Sequence, residues 1–235
     1  MFPKSAELYD RIYGSFKDYE QECHKIHSFL QQEHPSAHIL LDVACGTGEH
    51  ARILKALFDY EVDGIDLDAG LIGIAKEKNS TGTFYQGDMV EFSMGKTYDV
   101  VMCLFSSIGY VKTLDRVTAS LKMFSQHLKD GGIILIEPWF QPGALTPGKI
   151  FLNTAQDNNL SVARMAYSQV NDRLSTLHFE YLIGIEGNIT HEVEIHELGL
   201  FTVDEIMECF QDAGLTATYD DEGLSGRGLY ISRKG

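Results

Sequence analysis

Three aspartates and a pair of glycines are the residues of this chain best suited to holding a small polar ligand. Asp42 stands within the apolar run HILLDVA (38–44), and Gly46 and Gly48 follow in the turn that leads into a helical stretch. Glycine permits a sharp turn and lets a ligand lie against the main chain. A bare GxG is common; its weight here comes from following the first strand of an alternating series, the context a nucleotide-binding turn requires. Position 51 is Ala where the nicotinamide pattern places its third glycine. Asp42 precedes the loop, where a diphosphate gains nothing from a carboxylate but a sulfonium or an amino group does. About twenty residues beyond the loop, Asp66 closes the second strand, where an acid can accept hydrogen bonds from both ribose hydroxyls. Asp88, in GDM (87–89), ends the third strand region and is placed to accept from an adenine amino group. Each acid alone reads first as a solvated loop carboxylate. Three of them at three successive strand ends call for a ligand.

The elements that must position these residues follow from periodicity. Residues 17–32 have helical spacing, ending before Pro35. Strands are expected at 38–44, 60–67, 83–86, 98–105 and 132–138, the last introduced by Gly131-Gly132, with helices at 51–58, 69–78 and about 114–128. Such alternation predicts a parallel sheet covered on both faces. After Pro138 the pattern changes: a Pro- and Gly-marked loop precedes three strands, 161–171, 173–186 and 189–202, with turns at Asn171-Asp172 and Gly187-Asn188. Thr202 then caps a helix at 203–213, Glu205 occupies the capping-box position, and Gly214 ends it. Strands at 215–221 and 227–233 close the chain. The expected class is α/β, a Rossmann-like seven-stranded sheet with an antiparallel β insertion before the last helix. Residues 1–145 and 201–235 would form the ligand-binding domain and 146–200 the insertion, serving as substrate cover or dimer contact.

Composition bounds the function. At 235 residues and 44% hydrophobic, the chain can bury a full core. Thirty-four acidic residues against nineteen Lys plus Arg give a net charge of −15, which repels phosphate backbones and anionic membranes, so neither nucleic acid nor membrane is expected as a partner. An anionic ligand needs named Arg or Lys partners. Cys23, Cys45, Cys103 and Cys209 are scattered, which indicates neither a disulfide framework nor a zinc site. His191 and His196 have opposite strand parity, so with His178 they predict no metal centre. The opening MFPKSAELYD lacks a leader pattern, and a cytoplasmic protein is expected.

DVACGTG, GIDLD and QGDM resemble the cofactor motifs of class I S-adenosylmethionine-dependent methyltransferases. LYDRIYGSFKDY (8–19), MCLFSSIGYVKT (102–113), IEPWF (136–140) and LSGRGLY (224–230) are in addition similar to the N,N-dimethyltransferases that modify amino sugars on thymidine diphosphate (TDP), the desosamine and mycaminose type. The resemblance implies S-adenosyl-L-methionine as cofactor, held by Asp42, Ala44, Cys45, Gly46, Gly48, Asp66, Leu67, Asp88, Met89 and Leu104. It implies that Tyr13 and Tyr110 act at the reacting amine, and that Ser106, Ser107, Trp139 and Arg227 form the acceptor pocket. Arg227 between two glycines is the foremost anion partner, since guanidinium matches a diphosphate; Arg164 and Arg173 are weaker candidates. Some relatives carry His where this chain has Tyr110. No NPPY or DPPY follows the fourth strand, which argues against nucleobase methylation.

The bland readings stand beside these. Tyr9 and Tyr13 fall at helical spacing and suit packing, Trp139 could anchor its loop, and Cys45 and Cys103 suit packing better than reactivity. The function implied is N-methylation of a small amine, with a nucleotide-linked amino sugar as the particular acceptor. O-methylation of a small metabolite, N-methylation of a peptide terminus and a non-catalytic cofactor-binding subunit are the alternatives. A homodimer is expected from the open edges of the insertion.

Overall fold

The computed structural model describes residues 5–156 and 159–235; residues 1–4, part of the segment read above as lacking a leader, and residues 157–158 lie outside it. Two helices, α1 (Ser5–Tyr13) and α2 (Tyr19–Glu33), precede the alternating region. The Asp18 side chain caps α2 by accepting the Gln21 amide at 2.9 Å. Then come β1 (Ile39–Val43), α3 (Glu49–Phe58), β2 (Glu61–Asp66), α4 (Ala69–Lys78), β3 (Phe84–Gln86), β4 (Tyr98–Cys103), α5 (Leu114–Gln126) and β5 (Leu128–Ile136). A 3₁₀ turn, Ser107–Val111, joins β4 to α5.

After the insertion, β6 (Phe151–Gln156), β7 (Leu160–Asn171), β8 (Leu174–Ile185) and β9 (Asn188–Gly199), the chain ends in α6 (Val203–Asp212), β10 (Thr216–Asp220) and β11 (Leu229–Arg233). The main sheet has seven strands in the order β10-β11-β5-β4-β1-β2-β3. Pairing is parallel except at β11, which runs antiparallel to both β5 and β10. Every residue of β4 is buried, as a central strand covered on both faces requires. One face packs against Ile26, Leu30, Ile53 and Leu54 of α2 and α3, the other against Val117, Phe124, Ile206 and Phe210 of α5 and α6. Because β2 and β4 flank β1 on opposite sides, a crevice opens at the carboxyl ends of β1 and β4, where α/β sheets bind ligands.

Three element readings change. The insertion has four strands rather than three: β6, FLNTAQ, is exposed along most of its length and so carries no apolar alternation. The glycines Gly131-Gly132 lie inside β5, because the strand begins at Leu128 and its register against β4 shifts between Tyr98 and Val100. The third is α1, a short helix the periodicity did not delimit. The capping box of α6 forms as expected, Thr202 Oγ1 accepting the Glu205 amide at 3.3 Å and Glu205 Oε2 accepting the Thr202 amide at 2.8 Å.

The insertion folds back over the crevice. Val162, Ala166, Phe179, Tyr181 and Ile183, on one face of its sheet, bury Leu8 and Ile12 of α1. The cover is thus tied to the first helix and not only to the strands from which it springs.

Candidate active site

The turn after β1 is built by backbone conformations that suit glycine. Gly46 and Gly48 have φ of 56° and 71°, and Ala44 joins them at 60°. Gly46 donates its amide to Asp66 Oδ2 at 2.8 Å, and the Asp68 amide donates to Oδ1 at 2.9 Å, so the second-strand acid fixes the shape of the first-strand loop. A carboxylate has about four acceptor sites, and two remain for a ligand. Burial pushes the Asp66 carboxyl up, opposed by these backbone donors.

Asp42 is almost fully buried, and its Oδ2 has no hydrogen-bond partner among the described residues. It lines a small pocket of ≈ 30 Å³ behind the loop with Cys45 and Leu104, and that pocket shares Ala44, Gly46 and Ser107 with the main cavity. Burial lifts the Asp42 carboxyl from its usual 3.8 to about 7. Gly48 lines neither space. It begins α3, and a side chain there would strike Asn79 Nδ2 at 2.6 Å, so its smallness serves helix packing.

The main cavity measures ≈ 1170 Å³ and extends from this loop beneath the insertion. At one end lie Asp66, Leu67, Asp88 and Met89. Asp88 accepts the Val90 amide at 3.1 Å and pairs with Arg116 at 2.9 Å. Tyr13, Ser107, Tyr110, Trp139 and Arg227 line the remainder. Tyr13 meets Tyr9 at 4.3 Å between ring centroids and Phe105 at 5.2 Å, so the α1 tyrosines both pack and face the cavity. The Trp139 indole donates to Ser175 Oγ at 2.9 Å, which anchors it to β8 while it remains in the cavity wall.

Ser106 is buried and does not line the cavity. It belongs to a strained segment: Phe105 and Ser106 have φ of 51° and 65°, conformations that cost side-chain-bearing residues about 1 kcal/mol or more each. Glu137, fully buried, holds the segment by accepting the Phe105 amide at 2.7 Å and the Ser225 hydroxyl. Ser106 Oγ donates to the Pro138 carbonyl at 2.7 Å and accepts from Arg227 Nη1 at 2.9 Å. Arg227 is also seated against the Phe105 and Phe140 rings, at 5.3 and 5.9 Å. The glycine after it makes room for Tyr219, whose hydroxyl would lie 2.0 Å from a Cβ at Gly228, and not for a ligand.

Residues that sequence reading undervalued or missed come mostly from the insertion. Arg164 of β7 is 4% exposed, stacked on Tyr13 and Phe179 at 5.0 and 4.8 Å. Its Nη2 donates to Asn153 at 2.9 Å, while Nε and Nη1 have no hydrogen-bond partner among the described residues. It shares strand parity with the buried Val162, Ala166 and Ser168, and an arginine at inward parity was the available signal. Tyr181, Glu194 and His196 line the same wall.

A doubly wound α/β fold whose first turn, second-strand acid and orphan carboxylate converge on one crevice defines a nucleotide-cofactor enzyme. A methyltransferase-domain family model matches residues 40–132. The chain is 36% identical over 98% of its length, and 91% of the relative's, to a dTDP-3-amino-3,6-dideoxy-α-D-glucopyranose N,N-dimethyltransferase of Streptomyces fradiae. It superimposes with a TM-score of 0.92 at 30% identity on DesVI of Streptomyces venezuelae, covering 100% of both chains. A TM-score of 0.86 at 28% identity relates it to an S-adenosylmethionine-bound amino pentose methyltransferase of Micromonospora echinaspora, covering 100% of this chain and 98% of that one. The chain belongs to the class I S-adenosylmethionine-dependent methyltransferases, in the family that includes the TDP-amino-sugar N,N-dimethyltransferases. S-adenosylmethionine is its cofactor, and the site fits: the orphan Asp42 oxygen suits an ammonium donor, and Asp66 retains acceptor sites for hydroxyls.

Proposed function

We propose that the protein methylates the amino group of a nucleotide-linked amino sugar. The observation that carries this reading is the charge of the cavity wall. In a chain of net charge −15, three cavity cations, Lys149, Arg164 and Arg227, have no carboxylate partner among the described residues, whereas Lys112 and Arg116 are paired with Glu197 and Asp88 at 2.6 and 2.9 Å. Guanidinium groups suit a diphosphate, and a buried unpaired cation such as Arg164 needs an anion, with the half-buried Arg227 and the exposed Lys149 adding to the charge of the wall. The names of the relatives agree with an acceptor of that kind.

Bound at the first turn, S-adenosylmethionine supplies a methyl group activated by its sulfonium. Asp42 would hold the amino acid end, Asp66 the ribose, and Asp88, with Leu67 and Met89, the adenine. Tyr13 and Tyr110 would orient the acceptor amine, and Arg227 and Arg164 its anionic handle, so the protein's contribution is alignment in a space closed off by the insertion. The outer face of that insertion exposes Met165, Leu182 and Val193, which supports a homodimer contact there.

Calorimetric titration with TDP tests the acceptor half. Binding that weakens by one to a few orders of magnitude in Arg227→Ala, with cofactor affinity nearly unchanged, is expected, as roughly 2–5 kcal/mol for a broken buried charge pair implies. Equal TDP binding by parent and variant would leave a smaller, uncharged amine as the better reading.

A further inference from the structure

The insertion places a chain of exchangeable protons directly behind Tyr110. The Tyr110 hydroxyl lies 2.9 Å from His196 Nδ1. His196 Nε2 lies 3.5 Å from Glu194 Oε2, and that oxygen accepts the Tyr181 hydroxyl at 3.1 Å. Tyr110 comes from the 3₁₀ turn after β4, His196 and Glu194 from β9, and Tyr181 from β8, so the chain exists only because the insertion closes over the sheet. Tyr110 and His196 both line the cavity, Tyr110 being the more open at 46% exposed against 7% for His196. The Phe179 ring, edge-on at 5.2 Å, keeps the imidazole in place.

An alkyl amine has a pKa near that of lysine, about 10.4, and arrives at neutral pH as an ammonium ion without a lone pair. A proton must leave before nitrogen can act as a nucleophile. Other cavity carboxylates have partners: Asp88 pairs with Arg116, Glu197 with Lys112, and Asp66 holds two backbone amides. Glu194 differs in facing a histidine and, through it, a hydroxyl in the cavity.

We infer that Tyr110, His196 and Glu194 form a relay that removes the proton from the acceptor ammonium, His196 acting through Tyr110 as a positioning and proton-holding residue. This rests on the amine acceptor proposed above. In the step, the ammonium N–H bond breaks and its proton goes to the Tyr110 oxygen, as the proton already on that oxygen passes to His196 Nδ1. The amine becomes neutral with its lone pair, Tyr110 remains a phenol, and the imidazole becomes imidazolium beside the Glu194 carboxylate. Burial, and the neighbouring Tyr13, Asp66, Glu194 and Tyr181, raise the Tyr110 phenol, so it hands a proton on and does not rest as phenolate. The charged and titratable groups around the relay are therefore Glu194 on its own strand, Tyr181 on β8, Arg164 on β7, Tyr13 on α1 and Asp66 at the end of β2.

The test is the pH profile of kcat/KM for the amine in the full-length parent, His196→Gln and Tyr110→Phe, read from about pH 6 to about pH 10, a range that reaches the acceptor's own ionisation. Both variants are expected to lose about 10²-fold at neutral pH, within the range for general acid–base help, and His196→Gln to regain the parent rate as the amine arrives deprotonated, while Tyr110→Phe recovers only in part because it also loses a group that orients the amine. A weakly basic aromatic amine should show no dependence on His196. A loss independent of pH, or the same with both amines, would overturn the relay and leave His196 a packing residue. Failure of the parent to methylate any amine would instead sink the functional reading.

Discussion

Asp42 is the residue whose chemistry is most exposed to test. Its carboxyl lies at about 7 in the folded protein against a usual 3.8, burial being the chief cause and His50 opposing it. A folded value above the unfolded one means that the folded protein keeps a proton the unfolded chain has released between those limits. The cofactor-free protein therefore loses stability as pH rises from about 4 to about 7, by roughly 4 kcal/mol through this group, and the loss is level above that window. Asp42→Asn should remove the slope in urea unfolding across that range; parallel profiles for parent and variant would show that the oxygen is not buried as described. An ammonium group placed beside Asp42 favours its charged form. Cofactor binding near neutral pH should thus release a proton in the parent, measurable by calorimetry in buffers of different ionisation enthalpy, and release less in Asp42→Asn.

At this scale the acids at strand ends were legible because chain order places them: a residue ending β1 or β2 of an alternating series has only one crevice to face. Arg164, Tyr181, Glu194 and His196 were not. Parity separates the two faces of the insertion and groups Arg164 with Val162 and Ala166, but nothing local says that this face turns to the cavity. Ser106 was misread for a related reason, since its Oγ points to Pro138 and Arg227, a direction set by the positive φ of a residue that is not glycine.

Among the elements, the parallel core was readable because short apolar runs are bounded by helical ones and few loops intervene. The strand that escaped, β6, is largely exposed and has no apolar alternation, and is fixed by pairing with β7 instead of by burial of its own side chains. The box that starts α6 was readable because it is local. It also binds the insertion to the last helix, for Arg173, in the turn after β7, pairs with the same Glu205. Thr202→Ala should lower stability by about 1 kcal/mol, the usual cost of an N-cap, and displace the thermal midpoint by a few degrees. An unchanged midpoint in scanning calorimetry would mean that the cap contributes nothing beyond tertiary packing.

The whole molecule sets an excess of acidic residues against a cavity with three cations that lack carboxylate partners among the described residues. Salt should therefore weaken TDP binding in the parent more than in Arg227→Ala, because the variant has one cation fewer whose attraction can be screened. No helix among the described residues is long and apolar enough to cross a membrane. If the exposed apolar face of the insertion joins two copies, light scattering should give twice the chain mass for the parent and a lighter species for Leu182→Glu. A parent of single-chain mass would return that face to solvent.

The most direct measurement is mass spectrometry of a TDP-linked amino sugar incubated with the protein and S-adenosylmethionine. The account predicts one or more methyl groups on the sugar nitrogen, none on the matching sugar with hydroxyl in place of amine, and S-adenosylhomocysteine formed in step. An amino sugar recovered unmethylated from protein that binds both the cofactor and TDP would contradict it.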